Sequence, residues 1–407
     1  MCARSVFASD SSTLTTPGCN IFSPNRTLKT TTSIRNDAEN ERRDVAHKAS
    51  DLLPGDEPVQ LVSAQGAAMT DAHYTAPGPD DLRDAYRALL IGRRINDQCN
   101  ALVRQGRLAV YPSSFGQEAC QIAAALALQP QDWLFPTYRD SVAVITRGVP
   151  AADAMVLLHG DWHTGYDPAA HRVAIQATPL ATQLLHAVGF AHAAVLRGDD
   201  TVVLALCGDG ATSEGDFHEA LNFAAVFHLP LVFLVQNNGF AISVPLSRQT
   251  AAPSLAHKGI GYGIPGVGVD GNDAAAMLAV TREAVERARA GGGPTLIEAH
   301  TYRIQAHTNA DDDTRYRDAA EVQEWAARDP LIRMRAHLRE TGALDDATEQ
   351  RFVAAAEEVA AGLRAALGDE QALDPEELFR HVYAERTPQL QEQWRMLAGE
   401  LEREATP

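Results

Sequence analysis

Two short polar clusters in this chain carry residue types suited to chemistry: Gly208-Asp209-Gly210 and Asn237-Asn238-Gly239. A carboxylate and an amide oxygen are hard oxygen donors, the kind Mg²⁺ accepts while phosphate oxygens and water complete its octahedron. The glycines let backbone approach a ligand closely, and a helix opening at Ala211 would aim free N–H groups at a phosphate. Taken singly, Gly-Asp-Gly is an ordinary turn and Asn-Gly a hairpin signal. Together, each directly behind an apolar run, they ask for a diphosphate with its metal.

The apolar runs are the elements that must position them. Residues 201–207 and 231–236 are short, unbroken in hydrophobicity and polar on neither face, so both read as strands buried on two sides, as in parallel sheets. Between them Glu214, Asp216 and Glu219 load a helix start with acid. Phe217, Leu221, Ala224, Ala225 and Phe227 then recur at helical spacing. This βαβ unit puts both clusters at the carboxyl ends of neighbouring strands, the edge where open α/β sheets bind ligands.

Further candidates fall on the same edge. A strand over 132–135 ends in Tyr138-Arg139-Asp140, where the Arg139 guanidinium either forks onto phosphate oxygens or pairs with Asp140. A strand over 294–301 runs into Arg303 and His307, which either contact phosphate or a reaction intermediate or sit in an ordinary loop beside the solvated run Asp311-Asp312-Asp313. His159 and His163 lack a third ligand at a recognisable spacing and read as loop histidines. Residues 263–269 form a further strand, and 273–290 a helix.

Pro79-Asp80-Asp81 reads as an N-cap for a helix burying Leu82, Tyr86, Leu89, Leu90, Ile95 and Leu102. Gln117 begins a second helix. Pro179 stands at the first position of another, with Leu180, Leu184, Leu185, Val188, Ala191 and Val195 as its buried stripe. From Asp318 the chain is a charged, Ala- and Leu-rich helical tail, with Trp325, Leu338, Phe352, Leu363, Leu378 and Phe379 as packing residues. The expected organisation is a disordered extension over 1–56, an α/β domain over 57–330 and a helical C-terminal extension over 331–407. The extension carries Arg4, Arg26, Lys29 and Arg35 against Asp10, a loose likeness to an organelle transit peptide, and Met69 is a possible alternative start.

The formal charge of −18 over 407 residues opposes nucleic acid or an anionic membrane as partner. Five scattered cysteines without a C-x-x-C pair suit a reduced, intracellular protein. No apolar run approaches the roughly twenty residues that span a bilayer, so a cytoplasmic protein is expected, or a mitochondrial-matrix one if the N-terminus is a transit peptide. A nicotinamide-binding Rossmann site is disfavoured, because Gly208-Asp209-Gly210-Ala211 lacks the third glycine of that fingerprint.

Laid out together, Gly116-Gln117-Glu118-Ala119, Tyr138-Arg139-Asp140, the 179–183 stretch Pro-Leu-Ala-Thr-Gln, the 208–216 stretch from Gly-Asp-Gly to Glu-Gly-Asp, Asn237-Asn238-Gly239-Phe240, and Asp312-Asp313-Thr314-Arg315-Tyr316-Arg317 resemble the alpha subunit of the two-chain 2-oxo acid dehydrogenases. The likeness spans roughly residues 58–402. It implies a thiamine diphosphate-binding fold: a mostly parallel central sheet with helices on both faces and a helical C-terminal tail. It further implies Mg²⁺ on Asp209, Asn238 and the Phe240 carbonyl. Tyr138, Arg139 and His307 would meet the diphosphate, Gly208, Gly210 and Ala211 would frame its phosphates, and backbone around Thr178 and Leu180 would meet its rings.

The catalytic residues it implies are His307 and Arg303. Pro179, Thr182 and Gln183 match a loop that binds K⁺ in some relatives. Thr308 stands where mammalian relatives carry a regulatory phosphoserine, so that control is not expected here. A beta subunit would complete an αβ heterotetramer and bring the carboxylate that activates the cofactor, and a lipoyl-bearing acyltransferase would take the acyl group. The implied activity is that of 3-methyl-2-oxobutanoate dehydrogenase on branched-chain 2-oxo acids, suggested by the tail around Leu378, Phe379 and Tyr383, with pyruvate dehydrogenase (acetyl-transferring) as the alternative. A non-catalytic subunit is the remote reading.

Overall fold

The structure, a computed structural model, describes residues 49–160, 164–367 and 374–404. The transit-like stretch and residues 1–48 of the expected extension lie outside them, as does His163.

Five parallel strands form one sheet in the order β1 (Trp133–Phe135), β2 (Val203–Gly208), β3 (Leu231–Asn237), β7 (Thr295–His300), β6 (Gly266–Asp270). Strands β4 (Phe240–Ala241) and β5 (Val244–Pro245) make a separate small antiparallel pair. Alternate residues explain why β2 and β3 read as unbroken apolar runs. Leu204, Leu206, Val232 and Leu234 join one core with Tyr86, Leu89, Ile122 and Leu278 from helices Pro79–Arg104, Glu118–Leu126 and Ala274–Arg289. Val203, Ala205, Phe233 and Val235 join a second core with Leu184, Phe217 and Leu221 from helices Thr182–Arg197 and Gly215–Val226. Both faces are therefore covered, as parallel sheets require.

Several boundaries differ from expectation. The helix at Pro79 is entered from Gly78, with no side-chain cap. Helix Thr182–Arg197 begins three residues after Pro179, because Ala181 turns the chain at φ 63°. Leu180 and Val195 are exposed, so only Leu184, Val188 and Ala191 of the anticipated stripe are buried. Phe227 falls just beyond its helix and is exposed, as is Leu378 in a four-residue surface helix. Ordered chain starts ahead of residue 57: Leu52 is buried and its carbonyl accepts from Gly266 N–H at 3.2 Å.

The C-terminal helices are fastened to the sheet by buried charge. Arg333, in helix Pro330–Glu340, donates to Asp270 Oδ2 at 2.8 Å and lies 3.3 Å from Asp273 Oδ2. Asp273 caps helix Ala274–Arg289 through Ala275 and Ala276 N–H, and its other oxygen accepts from Leu61 and Val62 N–H at 2.7 Å. Removing the guanidinium strands two buried carboxylates, a change that costs about 3–5 kcal/mol. Arg333→Met should therefore lower the denaturant midpoint with an unchanged m-value, and an unaltered midpoint would show the pair to be dispensable. Among the described residues no helix is long and apolar enough to cross a membrane, and Cys99, Cys120 and Cys207 are unpaired.

Candidate active site

Strand β2 is in register with β3 so that Gly208 lies opposite Gln236. Asp209 and Asn238 therefore leave adjacent strand ends side by side. Asp209 opens a 3-10 turn, Asp209–Ser213, and the α-helix starts only at Gly215, four residues later than the sequence suggested. The tighter turn is held by Thr212 Oγ1 donating to the Asp209 carbonyl at 2.8 Å. Gly210 is dictated by contact, since a Cβ there would lie 2.7 Å from Ala241 Cβ. Gly239 takes φ 86° to turn the chain from β3 into β4.

A cleft with a free volume of about 140 Å³ opens over this edge. Tyr138, Arg139, Leu180, Gly208, Asp209, Gly210, Ala211, Asn238, Phe240, Arg303 and His307 all line it. Of the residues expected at the site, Thr178 alone is not in the lining, although its neighbours Ala177 and Pro179 are. Pro179 and Gln183, from the K⁺ expectation, line it too, whereas Thr182 does not.

Asp209 is buried, and burial pushes its carboxyl above the usual carboxylate range. Gln249 Nε2, donating at 2.7 Å, works against that rise, as do the backbone N–H groups of Asp209 and Asn238. Among the described residues no Lys, Arg or His forms an ion pair with it; the field of Arg303 reaches it from farther off. A buried carboxylate so placed is costly unless a cation joins it. Among the described residues Asn238 Oδ1 accepts only from Phe240 N–H, at 3.2 Å, keeping lone-pair capacity. Gln249 Oε1 is buried without a partner beside it. No group of three His, Cys, Asp or Glu occurs among the described residues, so a cation here would take one carboxylate and fill its sphere with amide, carbonyl and ligand oxygens.

The opposite wall is cationic. Arg139 does not pair with Asp140: its Nη1 donates to Ser113 O at 2.9 Å, and its Nη2 donates to His307 Nδ1 and His307 O, each at 3.0 Å. Arg303, fully buried, donates from Nη1 to the same Nδ1 at 3.0 Å. Guanidinium has no lone pair to offer, so Nδ1 must accept and the neutral ring carries its proton on Nε2. Burial first, then the charges of Arg139 and Arg303, hold the His307 pKa down to about 4. His307 is thereby a tethered site residue, its own N–H held by Asp311 Oδ2 at 2.9 Å, rather than a free loop histidine.

Arg303 Nη2 also donates to Ile242 O at 2.8 Å and to Tyr316 Oη at 2.8 Å, and Tyr316 donates to Asp311. Asp311 is therefore not merely solvated. Ile242, at φ 55°, is a β-branched residue in a strained conformation, of the kind that clusters at functional sites.

Gln117 and Asp140, which the sequence offered only as parts of motifs, line the cleft together with Thr137 and Gln236, and Gln249 bonds Asp209. The one available signal was Gln236, a polar residue closing an otherwise apolar strand.

Three comparisons bear on this chain's relations. A family model described as dehydrogenase E1 component matches residues 86–369. The 3-methyl-2-oxobutanoate dehydrogenase subunit alpha of Mycobacterium tuberculosis is 50% identical over 348 residues, 85% of this chain and 95% of that protein. The pyruvate dehydrogenase E1 component subunit alpha of Staphylococcus aureus is 38% identical over 312 residues, 76% of this chain and 84% of that protein.

Proposed function

Because the chain belongs to the dehydrogenase E1 component family, which depends on thiamine diphosphate, we propose that it is the alpha subunit of a branched-chain 2-oxo acid dehydrogenase. Its reaction is the oxidative decarboxylation of 3-methyl-2-oxobutanoate and its congeners, with transfer of the acyl group to a lipoyl disulfide. The observation that carries this reading is the convergence of Asp209 and Asn238 from adjacent strand ends on one cleft whose far wall holds Arg139, Arg303 and His307. The higher identity to the branched-chain relative favours that substrate class over pyruvate.

In this reading the Asp209 carboxylate, Asn238 Oδ1 and the Phe240 carbonyl hold Mg²⁺, and the ion's charge compensates the buried carboxylate. A diphosphate held by that ion would face the cationic wall of Arg139, Arg303 and His307. Backbone at Gly208, Gly210 and Ala211 frames it, Tyr138 and Arg139 contact it, and the neutral His307 turns its Nε2–H to it or to the substrate. Arg303 positions His307 and adds positive field. Leu180, exposed beside the cleft, offers apolar surface for the cofactor's rings, next to the backbone at Thr178. Gln183 spends its Nε2 on Leu206 O at 2.7 Å, so its remaining oxygen, with Pro179 O and Thr182, is the group left for K⁺.

The bound cofactor supplies the nucleophilic carbon and the electron sink for loss of CO₂. This chain supplies anchoring, exclusion of water and a poised donor. A beta subunit completes the active site within an αβ heterotetramer, and a lipoyl-bearing acyltransferase receives the product.

The test is co-expression with the partner beta subunit and assay with an artificial electron acceptor. kcat/KM for 2-oxoisovalerate should exceed that for pyruvate at least about tenfold, since a branched apolar side chain in a fitted pocket is worth roughly 1–3 kcal/mol. Equal or reversed values would transfer the assignment to the pyruvate type.

A further inference from the structure

A run of buried amides links Asn238 to the Asp140 carboxylate on the other side of the cleft lining. Asn238 Nδ2 donates to Gln117 Oε1 at 3.0 Å. Gln117 Nε2 donates to Gln236 Oε1 at 3.0 Å, and Gln121 Nε2, which also donates to Arg139 O at 3.2 Å, reaches the same oxygen at 3.4 Å. Gln236 Nε2 donates to Asp140 Oδ1 at 2.7 Å, and the other oxygen, Asp140 Oδ2, accepts from Thr137 N–H at 2.7 Å. Asp140, Gln236, Gln121, Gln117 and Asn238 are all buried, so an unmet donor or acceptor among them is costly.

An amide can be turned over with little change of shape, exchanging its oxygen for its NH₂. Asn238, Gln117 and Gln236 could therefore each be inverted together without steric penalty. A carboxylate cannot, because it only accepts. Asp140 therefore fixes which end of Gln236 faces it, Gln236 then fixes Gln117, and Gln117 claims the NH₂ of Asn238. The Asn238 oxygen is left on the cleft side, where Phe240 N–H also meets it. Inverted, Asn238 would present NH₂ to a cation and lose both contacts.

We propose that Asp140, acting through Gln236 and Gln117, is the positioning residue that sets the polarity of Asn238 and so turns its oxygen toward the cation. This rests on the Mg²⁺ reading given above. Asp140 stands at the start of helix Ser141–Thr146, yet its side chain makes no capping bond there, so a capping role does not account for it.

The experiment measures Mn²⁺ binding by electron paramagnetic resonance, with thiamine diphosphate present, on the chain assembled with its beta partner. Asp140→Asn leaves one oxygen for two donors, so Gln236 must lose a bond or invert. Mn²⁺ affinity should fall about 10- to 100-fold, the usual effect of losing a residue that orients a ligand. Adding Gln236→Glu to that variant restores an acceptor-only group in contact with Gln117 Nε2, and affinity should return to near the wild-type value. Gln117→Met, which breaks the run while leaving Asp140 intact, should reproduce the loss and serves if Asp140→Asn melts below the assay temperature. Wild-type affinity in Asp140→Asn or Gln117→Met, or a double variant no better than the single, overturns the proposal. A wild-type protein that binds no Mn²⁺, or Asp209→Ala binding it equally well, would instead sink the metal reading itself.

Discussion

Asp209→Ala should abolish divalent-metal-dependent binding of thiamine diphosphate and lower kcat by at least about 10³-fold, while the thermal midpoint of the assembled protein stays level or rises. The loss follows from removing the carboxylate proposed to hold the ion: several kcal/mol of charge stabilisation would disappear, at about 1.4 kcal/mol per tenfold. The stability expectation has the opposite sign because of what Asp209 costs the protein by itself. Its carboxyl is buried without a cationic partner and is pushed upward by that burial, so deleting it relieves desolvation. Gln249 loses one acceptor but keeps Val244 O at 3.0 Å. Calorimetric titration with Mg²⁺ and cofactor, paired with a melt, reads both. A variant that binds cofactor with wild-type metal dependence would remove Asp209 from the coordination sphere.

His307→Ala should lower kcat about 10²- to 10⁴-fold, the range for removing a positioned proton donor, with a smaller change in cofactor affinity. Its pH behaviour distinguishes this residue from an ordinary histidine. With the folded pKa depressed to about 4 against an ordinary 6.5, the unfolded chain binds a proton between those values and the folded chain does not. Stability therefore rises with pH across that window and is lost as pH falls from 6.5 toward 4. His307→Gln should flatten that segment of the stability curve. Arg139→Leu removes one of the two guanidiniums on Nδ1 and should move the ring's titration upward, followed by NMR of labelled histidine in the cofactor-free protein. A wild-type ring that titrates near 6.5 would mean that the two arginines do not act on it as described.

Local chemistry made the sheet legible. Strands β2 and β3 are apolar up to their carboxyl ends because both faces are covered, and a Gly-Asp-Gly and an Asn-Asn-Gly can close such strands only at the sheet's rim. Asp209, Asn238, Arg139 and His307 were found by that reasoning, and the structure brings all four to one cleft. Helix boundaries were less legible. Pro179 looks like a helix start, yet Ala181 at positive φ delays the helix so that Pro179 and Leu180 border the cleft. Propensity weighs only neighbours in sequence, and there the demand came from across the site.

The amino-acid order alone determined the class of fold, the edge where the cleft opens and the donor types delivered there, since these follow from periodicity and from residues adjacent to strand ends. Tertiary structure decided what those side chains do with one another. That Arg139 bonds His307 and not its neighbour Asp140, and that Asp140 instead reaches Asn238 through Gln236 and Gln117, depends on pairs separated by 96 to 168 positions. No spacing rule encodes such contacts, because they arise where the ends of β1, β3 and β7 and the start of helix Glu118–Leu126 are gathered by packing.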